Sequence, residues 1–466
     1  SEWPKSKLLI SPRLGFNWDI KGDRSIVLTG GTGLFTGLLP FVWFTNQPTN
    51  AGQMQNMVEF ETSELPANFA FNPNYKETLT QNPDMFPSTP GNEVPGAIAY
   101  VDPNFKMPQV WRSNVNAEFQ LPYGFMLSVG AMYTRDIYNV VQKNMNEKAP
   151  SGTYNEQPGR VYWTKNNYYD NPKTKTVIQL TNGDEKGYQY SFNAVLTKKF
   201  DFGFTGSFGY TYTMAKDLTA NPGSAPNSAW QNNVAVNSLN DPGVSYSLFS
   251  TPHRLIANAS YEVAYANMKT TVSLFYTGYQ QGRFSYTYSN DMNGDGNYSD
   301  LMYVPASKEE MTFVDIKDKQ NNVTYSAVDQ QEDFWNYVNN DSYLNDHKGQ
   351  YVERASSLEP WIHRFDMKIA QDFYAKIGSR KYGIQVSLDM LNIGNLLNSK
   401  WGAYRSCGLQ SYDNVRLLKT ASKVGEPLTY QMNASSREVF QKNSKWDYTA
   451  STGSAWQMQL GVKFTF

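Results

Sequence analysis

A single cysteine, Cys407, among 466 residues excludes an intrachain disulfide and any metal site built from several cysteines. No uninterrupted apolar stretch approaches the roughly 18 residues that a membrane-crossing helix needs. Crossing strands are not excluded by that, because they are short and alternate, and leave little hydropathy signal. Charge of one sign is not in excess: 41 Lys and Arg face 42 Asp and Glu, so nothing favours nucleic acid as a partner. Histidines are few and scattered (His253, His347, His363), with neither an HExxH motif nor a nucleophile–base pattern, and no enzyme is read here. The opening Ser1-Glu2-Trp3-Pro4 carries no initiator Met and no signal peptide. The expectation is a mature or partial product whose targeting information is missing rather than negative. What the chain does have is aromatic residues, 15% of the total, at a mean hydropathy of −0.57. That combination suits half-buried strands and aromatic girdles better than helix-packed cores.

The last residues show the organising pattern. Trp456, Met458, Leu460, Val462, Phe464 and Phe466 share one face of an extended chain, and Gln457, Gln459, Gly461, Lys463 and Thr465 share the other. Trp456, Phe464 and Phe466 are read as markers of a barrel-closing strand. The same period of two recurs to give about eleven strands. Tight turns are expected at Lys21-Gly22-Asp23, Pro122-Tyr123-Gly124, Asp201-Phe202-Gly203, Ala264–Asn267 and Gly378-Ser379-Arg380. Long polar connections, at about 38–107, 142–186, 218–250, 289–360 and 394–453, alternate strictly with these turns. Such lengths are uncommon inside compact soluble domains. The asymmetry, and the charges that recur on the polar faces, predict an all-β, antiparallel transmembrane β-barrel with short periplasmic turns and long extracellular loops. An odd count leaves the two ends on opposite sides of the membrane, so residues 1–466 are read as half of a barrel of about 22 strands, with no plug domain. Thr174 to Leu180 is assigned to a loop hairpin and not to a twelfth strand.

Asp291-x-Asn293-x-Asp295-Gly296-x-x-x-Asp300 has the oxygen-ligand spacing of a calcium loop, to which Asn297 adds a further oxygen. Met302 stands where an EF-hand would place its bidentate Glu. A simply polar turn is the alternative, and no cofactor is required. Trp43, Phe44, Trp335, Tyr337, Trp401 and Tyr404 are candidate substrate-stacking residues, with mutual packing of the loops as the other reading. Tyr133, Tyr210, Tyr212 and Tyr276 are assigned to a lipid-interface girdle. Arg112, Glu118, Arg254, Glu262, Arg364, Asp366 and Lys368 face the lumen, to pair with a plug or across strands. Cys407 is read as inert.

Several stretches carry a resemblance. They are Ser11-Pro12-Arg13-Leu14-Gly15-Phe16-Asn17-Trp18 with Gly30-Gly31-Thr32-Gly33-Leu34-Phe35, then Thr251-Pro252-His253-Arg254. Asp291 through Pro305, Leu391-Asn392-Ile393-Gly394-Asn395-Leu396-Leu397-Asn398 and the terminal Phe466 complete the set. Together they resemble the carboxyl-terminal half of a TonB-dependent outer-membrane transporter of Bacteroidetes, of the Oar-like branch. The resemblance implies a plugged barrel in outer-membrane lipid, completed by an upstream half and driven by a TonB complex. It implies active import of a large nutrient such as an oligosaccharide, a peptide or a chelate. A passive outer-membrane pore and a surface adhesion or assembly protein are the competing functions. Neighbouring SusC-type transporters also take a surface lipoprotein as partner, which no residue here requires.

Overall fold

The structure, a computed structural model, describes residues 5–45, 58, 60, 62–86, 89, 97–165, 167–169, 174–298, 300–411, 413–433, 437, 439 and 445–466. Ser1 to Pro4 lie outside the described residues, as do parts of the long connections at 38–107, 142–186, 289–360 and 394–453.

Eleven strands form one antiparallel sheet in simple sequence order. They are β1 (Arg13–Asp19), β2 (Ile26–Thr36), β3 (Gln109–Leu121), β4 (Phe125–Tyr138), β5 (Tyr188–Lys199) and β6 (Phe204–Asp217). β7 (His253–Tyr265), β8 (Met268–Gln280), β9 (Trp361–Ile377), β10 (Arg380–Leu391) and β11 (Gln457–Thr465) complete it. The two-residue strand Ser245–Tyr246 pairs antiparallel with the end of β6. Among the described residues β1 and β11 are the edges, and the sheet does not close. β1 starts at Arg13, so Leu8 and Ile10 precede it, whereas β6 and β9 run several residues beyond their alternating cores.

Register turns alternation into a continuous apolar wall. Ala259 lies opposite Leu274, Leu274 opposite Met367, Met367 opposite Met390, and Met390 opposite Met458. Phe192, Phe208, Phe365, Ile384, Leu460 and Val462 stay exposed on this wall. Exposure of that extent is unfavourable in water and expected against lipid. Near the long-loop ends the wall carries an aromatic belt: Trp111 against Tyr133, Tyr190 against Tyr212, and Tyr212 against His253. The belt continues from His253 to Trp361, then His363 and Tyr276. Phe200, Phe202 and Phe204 cluster beside the short turn that joins β5 to β6. That turn demands glycine. Gly203 has φ +94°, and a Cβ there would sit 2.0 Å from the Glu262 carbonyl oxygen.

The densest packing lies in the long connections. Arg283–Tyr288 pairs in parallel with Asn414–Thr420, which also carries Tyr430–Met432. Phe284, Tyr286, Tyr288, Met302, Phe334, Val338, Leu417 and Tyr430 are buried in one cluster, joined by Tyr154 and Val234 from two earlier loops. Thr176–Thr181 belongs to this outer layer and not to the barrel sheet. It pairs in parallel with Ala97–Val101 and antiparallel with Val141–Asn144.

Candidate ligand-contact site

The six aromatic candidates separate into three pairs. Trp43, only 5% exposed, packs with Val101, Phe105, Val140, Leu180 and Ala229, and Phe44 rests on the same cluster. Trp335 and Tyr337 sit on the helix Ala327–Asn340, whose Gln330, Phe334 and Val338 repeat every four residues to face the core. Ser326 caps that helix by accepting from the Asp329 N–H at 3.1 Å. Lys348 Nζ lies 4.7 Å above the Trp335 ring. The Tyr337 hydroxyl is 3.0 Å from that of Tyr286, which donates to Asp341 at 2.6 Å. Lys445 joins this knot through both Asp341, at 2.5 Å, and Tyr286. Burial alone would raise the Asp341 carboxyl, but the Lys445 charge and hydrogen bond outweigh it and hold it below its usual range.

The third pair includes Tyr404, at the long-loop ends of β8 and β9. Arg364 points inward from β9, lies 4.9 Å from the Tyr404 ring centre, and donates to the Gly402 carbonyl at 3.1 Å. The Tyr404 hydroxyl is 3.3 Å from that of Tyr279 on β8. Trp401 remains 56% exposed beside them. Asn392 fixes this corner: it leaves β10 at φ +51° and donates its side-chain amide to the carbonyls of Gly402 and Ser454, at 3.1 and 2.8 Å. A Cβ on residue 402 would strike that amide, which accounts for Gly402.

On the inward face, Lys269 meets Glu262 at 3.1 Å and Lys368 meets Asp389 at 2.7 Å. Asp366 accepts from the Asn392 N–H at 2.7 Å, and Arg112 donates to Thr134 at 3.0 Å. Cross-strand pairing therefore satisfies part of the inward charge. Glu118 and Arg254 lie in the same face.

The Asp291–Asp300 turn is closed by its own hydrogen bonds. Asp291 accepts from the N–H groups of Gly294, Asp295 and Gly296, Asn293 from that of Asp295, and Asp295 from that of Asn297. Asp300 faces the fully buried Arg160 at 3.3 Å and accepts from the Met292 N–H. Burial pushes the Asp300 carboxyl up to about 7 against the pull of Arg160, and it raises Asp291 and Asp295 too. Among the described residues no three His, Cys, Asp or Glu side chains converge as a metal-binding group. Cys407 is buried in the outer layer, and burial pushes its thiol up. At the closing strand Trp456 and Phe466 flank β11, whereas Phe464 lies within it, stacked near Tyr382 and Phe466.

The outer-layer core escaped the sequence reading because its strands are short and not sequential. The one available signal was Arg283-Phe284-Ser285-Tyr286-Thr287-Tyr288, whose alternating aromatics precede the polar turn.

Comparison with curated proteins finds no match. Among solved structures, the chain is similar to the outer membrane transporter YddB from Escherichia coli, at 11% identity and a TM-score of 0.43, covering 99% of this chain and 41% of that one. It is also similar to the siderophore receptor PirA from Acinetobacter baumannii, at 10% identity and a TM-score of 0.35, covering 83% of this chain and 37% of that one. The chain thus spans well under half the length of either. A family profile described as outer membrane beta barrel domain matches residues 2–401. With that match running from β1 through β10, the chain belongs to the outer membrane beta-barrel domain family and resides in the bacterial outer membrane.

Proposed function

We propose that the chain is one half of a plugged barrel that imports a large nutrient (oligosaccharide, peptide or chelate) with energy from a TonB complex. The observation that carries this is the pair of edges, β1 and β11, that no strand covers among the described residues. Strands one and eleven of an antiparallel meander run the same way, so closing the sheet on itself would need a parallel seam. Left open in lipid, each edge exposes a row of backbone N–H and C=O groups at several kcal/mol apiece. Further strands remove that cost, and a ring of about 22 has the width of the plugged transporters. The inward ion pairs and the remaining charges give such a plug a polar wall to rest against. Trp401, Tyr404 and Arg364, held at the rim by Asn392, are the residues we assign to first contact with the nutrient. A surface lipoprotein over the outer layer belongs to the same reading.

Conductance tests it. Purified with the rest of its barrel and placed in a planar bilayer, the protein should stay silent until urea unfolds the plug. A large steady conductance without urea would replace import with passive diffusion. Uptake that persists after a protonophore collapses the membrane potential would remove the TonB complex. Calcium at the Asp291–Asp300 turn is a subordinate part of the proposal, since Asp291, Asp295 and Asp300 share the turn and Arg160 pairs with one of them, Asp300. Calcium should raise the melting temperature of the outer layer by drawing them together, and an unchanged melt in chelator and in calcium removes the ion.

A further inference from the structure

The lipid-facing wall is not uniform. On its surface β6 contributes Gly206 and β7 contributes Ala257 and Ala259, side by side in register. These small residues floor a groove of about 800 Å³. Phe204 leans against Gly206 on one side, where a Cβ would come within 3.2 Å of its ring. Leu274, Tyr276 and Phe365 wall the other side. The groove starts beside Lys198, the register partner of Gly206. Its ammonium lies 4.6 Å from the Phe125 ring centre and 4.3 Å from that of Phe200, with no carboxylate partner among the described residues. The far end is Tyr276, whose hydroxyl is 2.8 Å from His363 Nδ1.

We infer that this groove holds one acyl chain of a periplasmic-leaflet phospholipid whose phosphate is gripped by Lys198. Three observations commit the site to that occupant. The wall faces the bilayer of the outer membrane, so what fills an apolar trough there is lipid. Lys198 stands by the short-turn end of β5, where phospholipid headgroups lie, and its charge complements a phosphate. From the Lys198–Gly206 row to the His363 row is four residues, or roughly 13 Å at about 3.3 Å per residue. That approaches one leaflet's share, about 15 Å, of the hydrocarbon core. The cation held against two rings keeps its stem on apolar surface while the head reaches the interface. The inference rests on the outer-membrane family alone and holds whether the barrel imports or leaks.

Native mass spectrometry of the protein, purified from outer membranes and supplied with palmitoyl-oleoyl-phosphatidylglycerol, tests it. One lipid should stay bound per barrel. Lys198→Gln should cut the bound fraction about fivefold, the value of one cation at a membrane surface. Ala259→Phe fills the floor and should abolish the bound lipid, and Ala257→Phe serves if the first variant loses its heat-modifiable fold. Lipid retained equally by the wild type and a folded groove-filled variant would identify ordinary boundary lipid and overturn the inference. So would a wild-type barrel that retains none.

Discussion

Asp300 and Arg160 show how one buried pair sets the pH response of the outer layer. Arg160 donates to the Val236 and Leu301 carbonyls and to Gln157 while facing Asp300, so removing either partner strands the other without water. The Asp300 carboxyl titrates near 7 in the folded protein, against an ordinary value of 3.8. The folded state therefore binds more protons than the unfolded state across that window. This group's contribution is greatest below about pH 4 and declines as pH rises toward 7, levelling above it. The melting temperature of the outer layer should fall between pH 5 and 7.5. Asp300→Asn should flatten the slope without abolishing it, because burial shifts Asp295 in the same direction. A wild-type slope that rises with pH would contradict this assignment.

At the scale of elements, turns and helices give separable failures. Gly203→Val puts side-chain atoms where the Glu262 carbonyl already lies, in a backbone conformation that β-branched residues avoid. It should lower the fraction of heat-modifiable, folded barrel in outer membranes. Phe334→Ala instead hollows the loop core beneath the helix Ala327–Asn340 and should destabilise the outer layer by about 3–5 kcal/mol. Hydrogen exchange resolves the two, since the second variant should speed exchange around Tyr286 and Tyr430 and leave β6 to β9 protected. The barrel strands were legible in the sequence because a strand with lipid on one side and polar groups on the other must alternate. The expected tight turns fall between consecutive strands, although Ala264, Tyr265 and Arg380 belong to the strands themselves. The loop core was not legible. Its parallel pairing of Arg283–Tyr288 with Asn414–Thr420 spans more than a hundred residues, and no local period encodes such a contact. Chemical type alone marked both Trp43 and Trp401 as stacking candidates, but only tertiary packing distinguishes a core ring such as Trp43 from an exposed one such as Trp401.

The whole molecule reverses the usual placement of a core. Its barrel sheet has two solvated or lipid-bathed faces, and the close-packed interior lies in the outer connections. If the sheet is half of a larger ring, detergent extracts of outer membranes should give an unboiled band well above the 52.9 kDa of this chain. A compact heat-modifiable species at 52.9 kDa that folds unaided would instead require a small self-closed barrel. The shared loop core also has a consequence for biogenesis. Its pieces, from Tyr154 to Met432, are separated by six strands that must each enter the membrane. The outer layer therefore cannot assemble loop by loop. Until the last connection has crossed, the earlier ones wait at the cell surface with their apolar side chains uncovered, and the order of strand insertion becomes the clock for folding outside the cell.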